Sequence, residues 1–102
     1  MHDEKIIKAI QSSGRLNKMQ AAILEILYKT SINHESDVKH EFLANKLNNC
    51  SKAYVSKTLK ELVELEFISF KYPKGSNNQV FILNNKMIDL LVESYELKCA
   101  ID

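Results

Sequence analysis

The chain has 102 residues, is 45% hydrophobic and 26% charged, and carries a formal net charge of +1. That length gives one domain, and that composition excludes a disordered or fibrous chain. Two cysteines, two glycines and one proline exclude a disulfide-rich scaffold, a four-thiolate metal site and a loop-heavy fold.

The even net charge hides a pattern. Residues 1–38 hold five cations against five anions. Residues 39–74 hold seven lysines against four glutamates, and residues 75–102 hold two lysines against four acids. The middle is basic and the tail acidic. Lys52 to Lys60 contains three lysines and no acid, the electrostatic footprint of a nucleic-acid contact. A solvated helix face is the other account of the same charges. Apolar runs such as Ala21 to Leu24 and Leu90 to Val92 are too short to cross a bilayer. The opening Met-His-Asp-Glu-Lys lacks the basic-then-apolar order of a signal peptide, so a cytoplasmic, nucleoid-associated location is expected.

In chain order, Ile6, Ile7 and Ile10 recur at helical spacing within residues 3–12, and Ser12-Ser13-Gly14 ends that helix. Asn17 is placed to cap a second helix from Lys18 to about Thr30, with Met19, Ile23, Ile26 and Leu27 inward. Ser31 to Asp37 is a polar loop, with a short strand expected at Val38. His40 to Leu47 forms a third, short helix, and Asn48-Asn49-Cys50 a tight turn. Ser51 caps a fourth helix through about Leu65, whose apolar stripe is Val55, Leu59, Leu62 and Val63.

The period then changes from helical to alternating. From Phe67 to Tyr72, Ile68, Phe70 and Tyr72 share one face, and Ser69 and Lys71 the other. Pro73 to Asn78 is a turn cluster, and Gln79 to Leu83 returns as the second arm of a hairpin. Asn84 or Asn85 caps a last helix to about Cys99. The fold class is therefore α+β, mainly α with a small β-hairpin.

The order helix, helix, tight turn, helix, hairpin is that of a winged helix-turn-helix, with additional N- and C-terminal helices. Leu16 to Leu27 resembles the opening of the MarR-type regulators, L-T-x-x-Q-x-x-I/V-L-x-x-L. Leu43 to Leu47 followed by Tyr54 to Leu62 is similar to that family's helix-turn-helix. Glu66-Phe67-Ile68 stands where the family has a glycine-apolar-isoleucine lead-in to its wing, and Leu83 to Met87 resembles the exit from it. Small plasmid and phage winged-helix proteins, including the centromere-binding adaptors of tubulin-like partition systems, are similar in outline. The expected architecture is one domain, 1–102, with a winged-helix core at 16–83 and end helices at 1–15 and 84–102.

In such a fold the second short helix lies in the DNA major groove and the wing meets adjacent backbone. The implied DNA-contacting residues are Ser51, Lys52, Tyr54, Ser56, Lys57 and Lys60 on the helix, with Lys71, Lys74 and Asn77 on the wing. Tyr54 has a second account, packing on the bracing helix. Ile6, Ile7, Ile10, Met87, Leu91 and Tyr95 lie outside the core unit; they complete the monomer or form a two-fold interface, and the interface is the expectation. The implied protein is a homodimeric, sequence-specific regulator on a palindromic double-stranded site. A partition or replication adaptor, or a protein-interaction domain that never touches DNA, is the alternative. The wing lacks the family's Asp-Arg-Arg type sequence. The chain is also shorter than regulators whose long end helices form a ligand pocket, so no small-molecule effector is implied.

No Gly-rich phosphate loop, nucleophile elbow or carboxylate pair occurs, so no catalytic residue and no cofactor is expected. His34, Glu35, His40 and Glu41 match no metal-site spacing and are expected at the surface. Cys50 is expected as a small buried hydrophobe in the turn, a redox role being the alternative. A Cys99 disulfide to a second copy is disfavoured in a reducing interior.

Overall fold

The computed structural model describes residues 3–75 and 77–101. It holds five helices and a three-stranded antiparallel sheet: α1 (Glu4–Gln11), α2 (Lys18–Thr30), β1 (Glu35–Ser36), α3 (His40–Lys46), α4 (Lys52–Glu64), β2 (Ile68–Lys71), β3 (Val80–Leu83) and α5 (Asn85–Ile101). Ser76, within the expected turn cluster, lies outside the described residues.

The helix starts follow from local chemistry. Asn17 caps α2 as half of a capping box: its side chain accepts from Gln20 N–H at 2.8 Å while the Gln20 side chain accepts from Asn17 N–H at 3.1 Å. The Ser51 hydroxyl accepts from Tyr54 N–H at 3.1 Å, and Asn84 Oδ1 accepts from Lys86 N–H at 3.1 Å. Between α3 and α4, Asn48 and Asn49 take φ of 60° and 58°, the left-handed region that asparagine tolerates best after glycine. The end of α4 is a Schellman closure, with Phe67 N–H donating to Leu62 C=O at 3.1 Å and Glu66 N–H to Val63 C=O at 3.0 Å. Glu66 is consequently held at φ 68°, a conformation that glycine adopts without strain.

α2 runs through the centre, touching α1, α4 and the sheet, while α1 also packs on α5. Ile10, Ile23, Leu24, Leu27, Leu43, Val55, Leu62, Phe67 and Phe81 form the fully buried core. The strand order is β1-β3-β2, so β3 is central and buried at Val80, Phe81 and Leu83.

The short strand expected at Val38 lies instead at Glu35–Ser36. A reversal at Asn33 and His34, both with positive φ, brings Ile32 and Glu35 into mutual backbone hydrogen bonds of 2.8 and 3.1 Å. This turn delivers Ser36 opposite Phe81, where its hydroxyl pairs with that of Thr30 at 2.8 Å. A buried polar group thereby keeps its partner.

Candidate nucleic-acid interface

α4 buries Val55, Thr58, Leu59 and Leu62. Thr58 interrupts the apolar stripe and is fully covered; its hydroxyl donates to the Tyr54 carbonyl at 3.0 Å, which removes the cost of burying it. Val63, expected on the same stripe, is half-buried. The opposite side of the helix exposes Ala53, Lys57, Lys60 and Glu64. Lys57 and Lys60 form no ion pair among the described residues, so their charge is offered to solvent.

The remaining expected contacts divide among different surroundings. Ser51 is exposed and spends its oxygen on the cap. Lys52 stands 4.0 Å from Glu41 of α3, both exposed, an ion pair that contributes little and is readily displaced. Tyr54 is 49% exposed. Ser56 is half-buried and, with Lys60, lines a groove between α4 and the hairpin. On the hairpin, Lys71 is tied: its Nζ donates to Glu35 Oε2 at 3.0 Å, from β2 across β3 to β1. Lys74 is exposed in the turn, and Asn77 is exposed on a shallow surface with Lys39, Tyr72 and Gln79.

The α4–hairpin groove brings in Phe70 and Tyr72, which alternation places on one face with Ile68. The register sets Phe70 opposite Phe81 and Ile68 opposite Leu83, so one face carries all four side chains. Ile68, Phe81 and Leu83 are buried, but Phe70 is 46% and Tyr72 58% exposed. Phe70 and Tyr72 meet edge to face, 6.1 Å between centroids, and His40 stacks on Phe81 at 6.3 Å. Alternation shows the shared face; only the open groove between α4 and the hairpin decides where cover ends.

The end helices require a correction. Ile10 is 0% and Leu91 3% exposed within the single chain. Both are core residues, because α1 lies against both α2 and α5, and neither can form a two-fold interface. Ile6, Ile7, Met87 and Tyr95 are half-buried. A hydrogen bond with Cys99 pushes the Tyr95 phenol above its ordinary range. Cys99 is exposed, and Cys50 is half-buried against the core.

Among the described residues no three His, Cys, Asp or Glu side chains converge as metal ligands; His34 lies in the positive-φ turn and His40 on Phe81. No helix among them is long and apolar enough to cross a membrane. No family model matches the chain, and neither the curated proteins nor the solved structures offer a match.

Proposed function

We propose that this chain is a winged helix-turn-helix protein that binds double-stranded DNA through α4 and the β2–β3 hairpin, and acts as a transcriptional regulator. The observation that carries the reading is the outward side of α4, where Lys57 and Lys60 stand exposed and without an ion pair opposite the buried Val55, Leu59 and Leu62. A helix of 13 residues is about 20 Å long, and a major groove about 12 Å wide admits it. α3 braces α4 across a short turn, which leaves the N-terminal half of α4 free to approach base edges. Lys57, Lys60 and Lys52 neutralise phosphates; Tyr54 and Ser51 are the polar groups nearest the helix start. Lys74 and Asn77 extend the contact along the hairpin, while Lys71 joins only if it leaves Glu35. No catalytic step and no cofactor belong to this reading.

The test is duplex binding by wild type, Lys57→Ala and Lys60→Ala across a salt series. Each lost phosphate contact lowers the slope of log affinity against log salt by about 0.9. Both variants should weaken specific and random duplex alike, since phosphate contacts position without specifying sequence. Unchanged affinity and slope in both variants would remove α4 from the DNA.

Exposed Phe70 and Tyr72 favour a second reading, a protein-contact domain whose lysines only solvate a helix. In that case random duplex is not retained even at low salt.

A further inference from the structure

α5 has 17 residues, yet only Ile88 and Leu91 are buried. From Glu93 to Ile101 every residue is exposed except half-buried Tyr95. Three large aliphatics lie open on this helix: Leu90 at 42%, Leu97 at 66% and Ile101 at 84%. With Ser94 they fall at spacings of four, three and four residues, the alternation that keeps a seam on one side of a helix facing a partner helix. A helical end of this length without tertiary cover is marginal in water.

The charges beside the stripe select the partner. On one side, Lys98 and Arg15 line the crevice between α5 and the α1–α2 turn, with no acidic residue among the crevice's described lining. On the other side stands Glu93. None of the three forms an ion pair among the described residues. Two identical helices packed in parallel about a two-fold axis bring the first edge of each against the second edge of the other. Glu93 and Lys98 are five residues apart, the offset of interhelical pairs in a parallel seam. An antiparallel pair would set like edges together.

We propose that a second copy of this chain docks along Leu90, Ser94, Leu97 and Ile101 as a parallel two-helix seam, with Glu93 of each copy facing Lys98 of the other. The seam lies outside the core that holds Ile10 and Leu91 and does not depend on DNA binding.

Sedimentation without DNA at micromolar concentrations should give twice the 11.7 kDa of the chain. Leu97→Asn with Ile101→Asn removes two apolar layers from solvent-exposed positions; it should raise the dimer dissociation constant by about 100-fold or more while the circular dichroism spectrum stays unchanged. Glu93→Lys should weaken the dimer by about 3- to 10-fold, and adding Lys98→Glu should restore it, because the exchanged charges again oppose. Ser94→Cys in a Cys99→Ser background should cross-link two copies on oxidation, while Cys99→Ser alone should not. A monomer at every concentration overturns the proposal. A dimer indifferent to Leu97→Asn and Ile101→Asn also overturns it, as does one that Ser94→Cys fails to cross-link, since that dimer is joined elsewhere or antiparallel. A loss of DNA binding leaves all these readouts intact, so the two readings fail separately.

Discussion

The region around α4 and the hairpin and the region around α1 and α5 leave different chemistry uncovered. On α4 the side away from the core is polar, with Lys57, Lys60 and Glu64 exposed, and its aliphatic residues larger than alanine are buried or half-buried, while Tyr54 is half open. On α5 the side away from the core keeps Leu90, Leu97 and Ile101 in water. Both helices dock an apolar stripe on the body. They differ in what the rest of the circumference offers: charge suited to a phosphate surface in one case, aliphatic surface suited to another helix in the other. The hairpin lies between these cases, with two half-exposed aromatics lining a groove that also holds Lys60 and Glu64.

The largest effect tests the division between core and surface within α1 and α5. Ile10→Ala or Leu91→Ala should lower unfolding free energy by about 2–5 kcal/mol, because each deletes fully enclosed methyl groups. Urea unfolding should show this loss at every protein concentration. Were either variant to alter only the concentration dependence, that side chain would belong to an interface and the division would fail.

A smaller effect concerns what holds α4 in place. Ser51→Ala should cost about 1 kcal/mol by removing the acceptor for Tyr54 N–H. Thermal unfolding measures it, and an unchanged midpoint would mean that water replaces the cap without loss.

Glu66→Gly works in the opposite direction. Relief of a non-glycine residue at φ 68° should stabilise the chain by about 0.5–1 kcal/mol, the gain being reduced by the greater freedom of glycine in the unfolded state. The backbone carbonyl that accepts from Asn84 Nδ2 at 2.7 Å is retained in the variant. A destabilised Glu66→Gly would show that the glutamate side chain contributes more than its backbone strain costs.

The smallest effect lies at the α1–α2 seam. Burial raises the Glu25 carboxyl, but hydrogen bonds from Lys29 and Gln11 together hold it below the ordinary glutamate value. The unfolded state therefore binds more protons in the acid range. Stability from this group is fully present above the ordinary glutamate pKa and is lost as pH falls through the folded value. Glu25→Gln should remove that acid-side slope and cost only about 0.3–0.5 kcal/mol at neutral pH. Parallel urea titrations of the two proteins at neutral and acid pH check both the sign and the size.

Much of the local structure was legible because it rests on short-range chemistry. Asn17 and Ser51 announce caps whose partners lie three residues on, and the alternation after Phe67 sets the face shared by Ile68 and Phe70. The α+β class follows from those periods. The basic side of α4 was equally visible, as lysines spaced around a stripe of Val55, Leu59 and Leu62. Asn33-His34 carries no sequence signal beyond a polar loop, and its two positive φ values set β1 at Glu35–Ser36 rather than at Val38.

What periodicity cannot supply is the end of cover. An apolar stripe says which side of an element seeks burial, not how far the neighbouring element extends along it. Phe70 and Ile68 share a face and differ in fate because Phe70 opens onto the groove between the hairpin and α4 while Ile68 is buried. Ile10 and Leu91 read as candidates for an interface, yet the packing of α1 on both α2 and α5 encloses them in one chain, while Leu97 and Ile101 on the same α5 stay open. Lys71 carries the same formal charge as Lys57, but the strand order β1-β3-β2 sets it against Glu35 and leaves Lys57 unpaired. The sequence by itself determined the helices, the hairpin, the Asn17 and Ser51 caps and the basic side of α4, since those depend on neighbours within a turn or two. The tertiary structure decided which charges are free and which apolar residues remain for a partner, since those depend on distances between elements far apart in the chain.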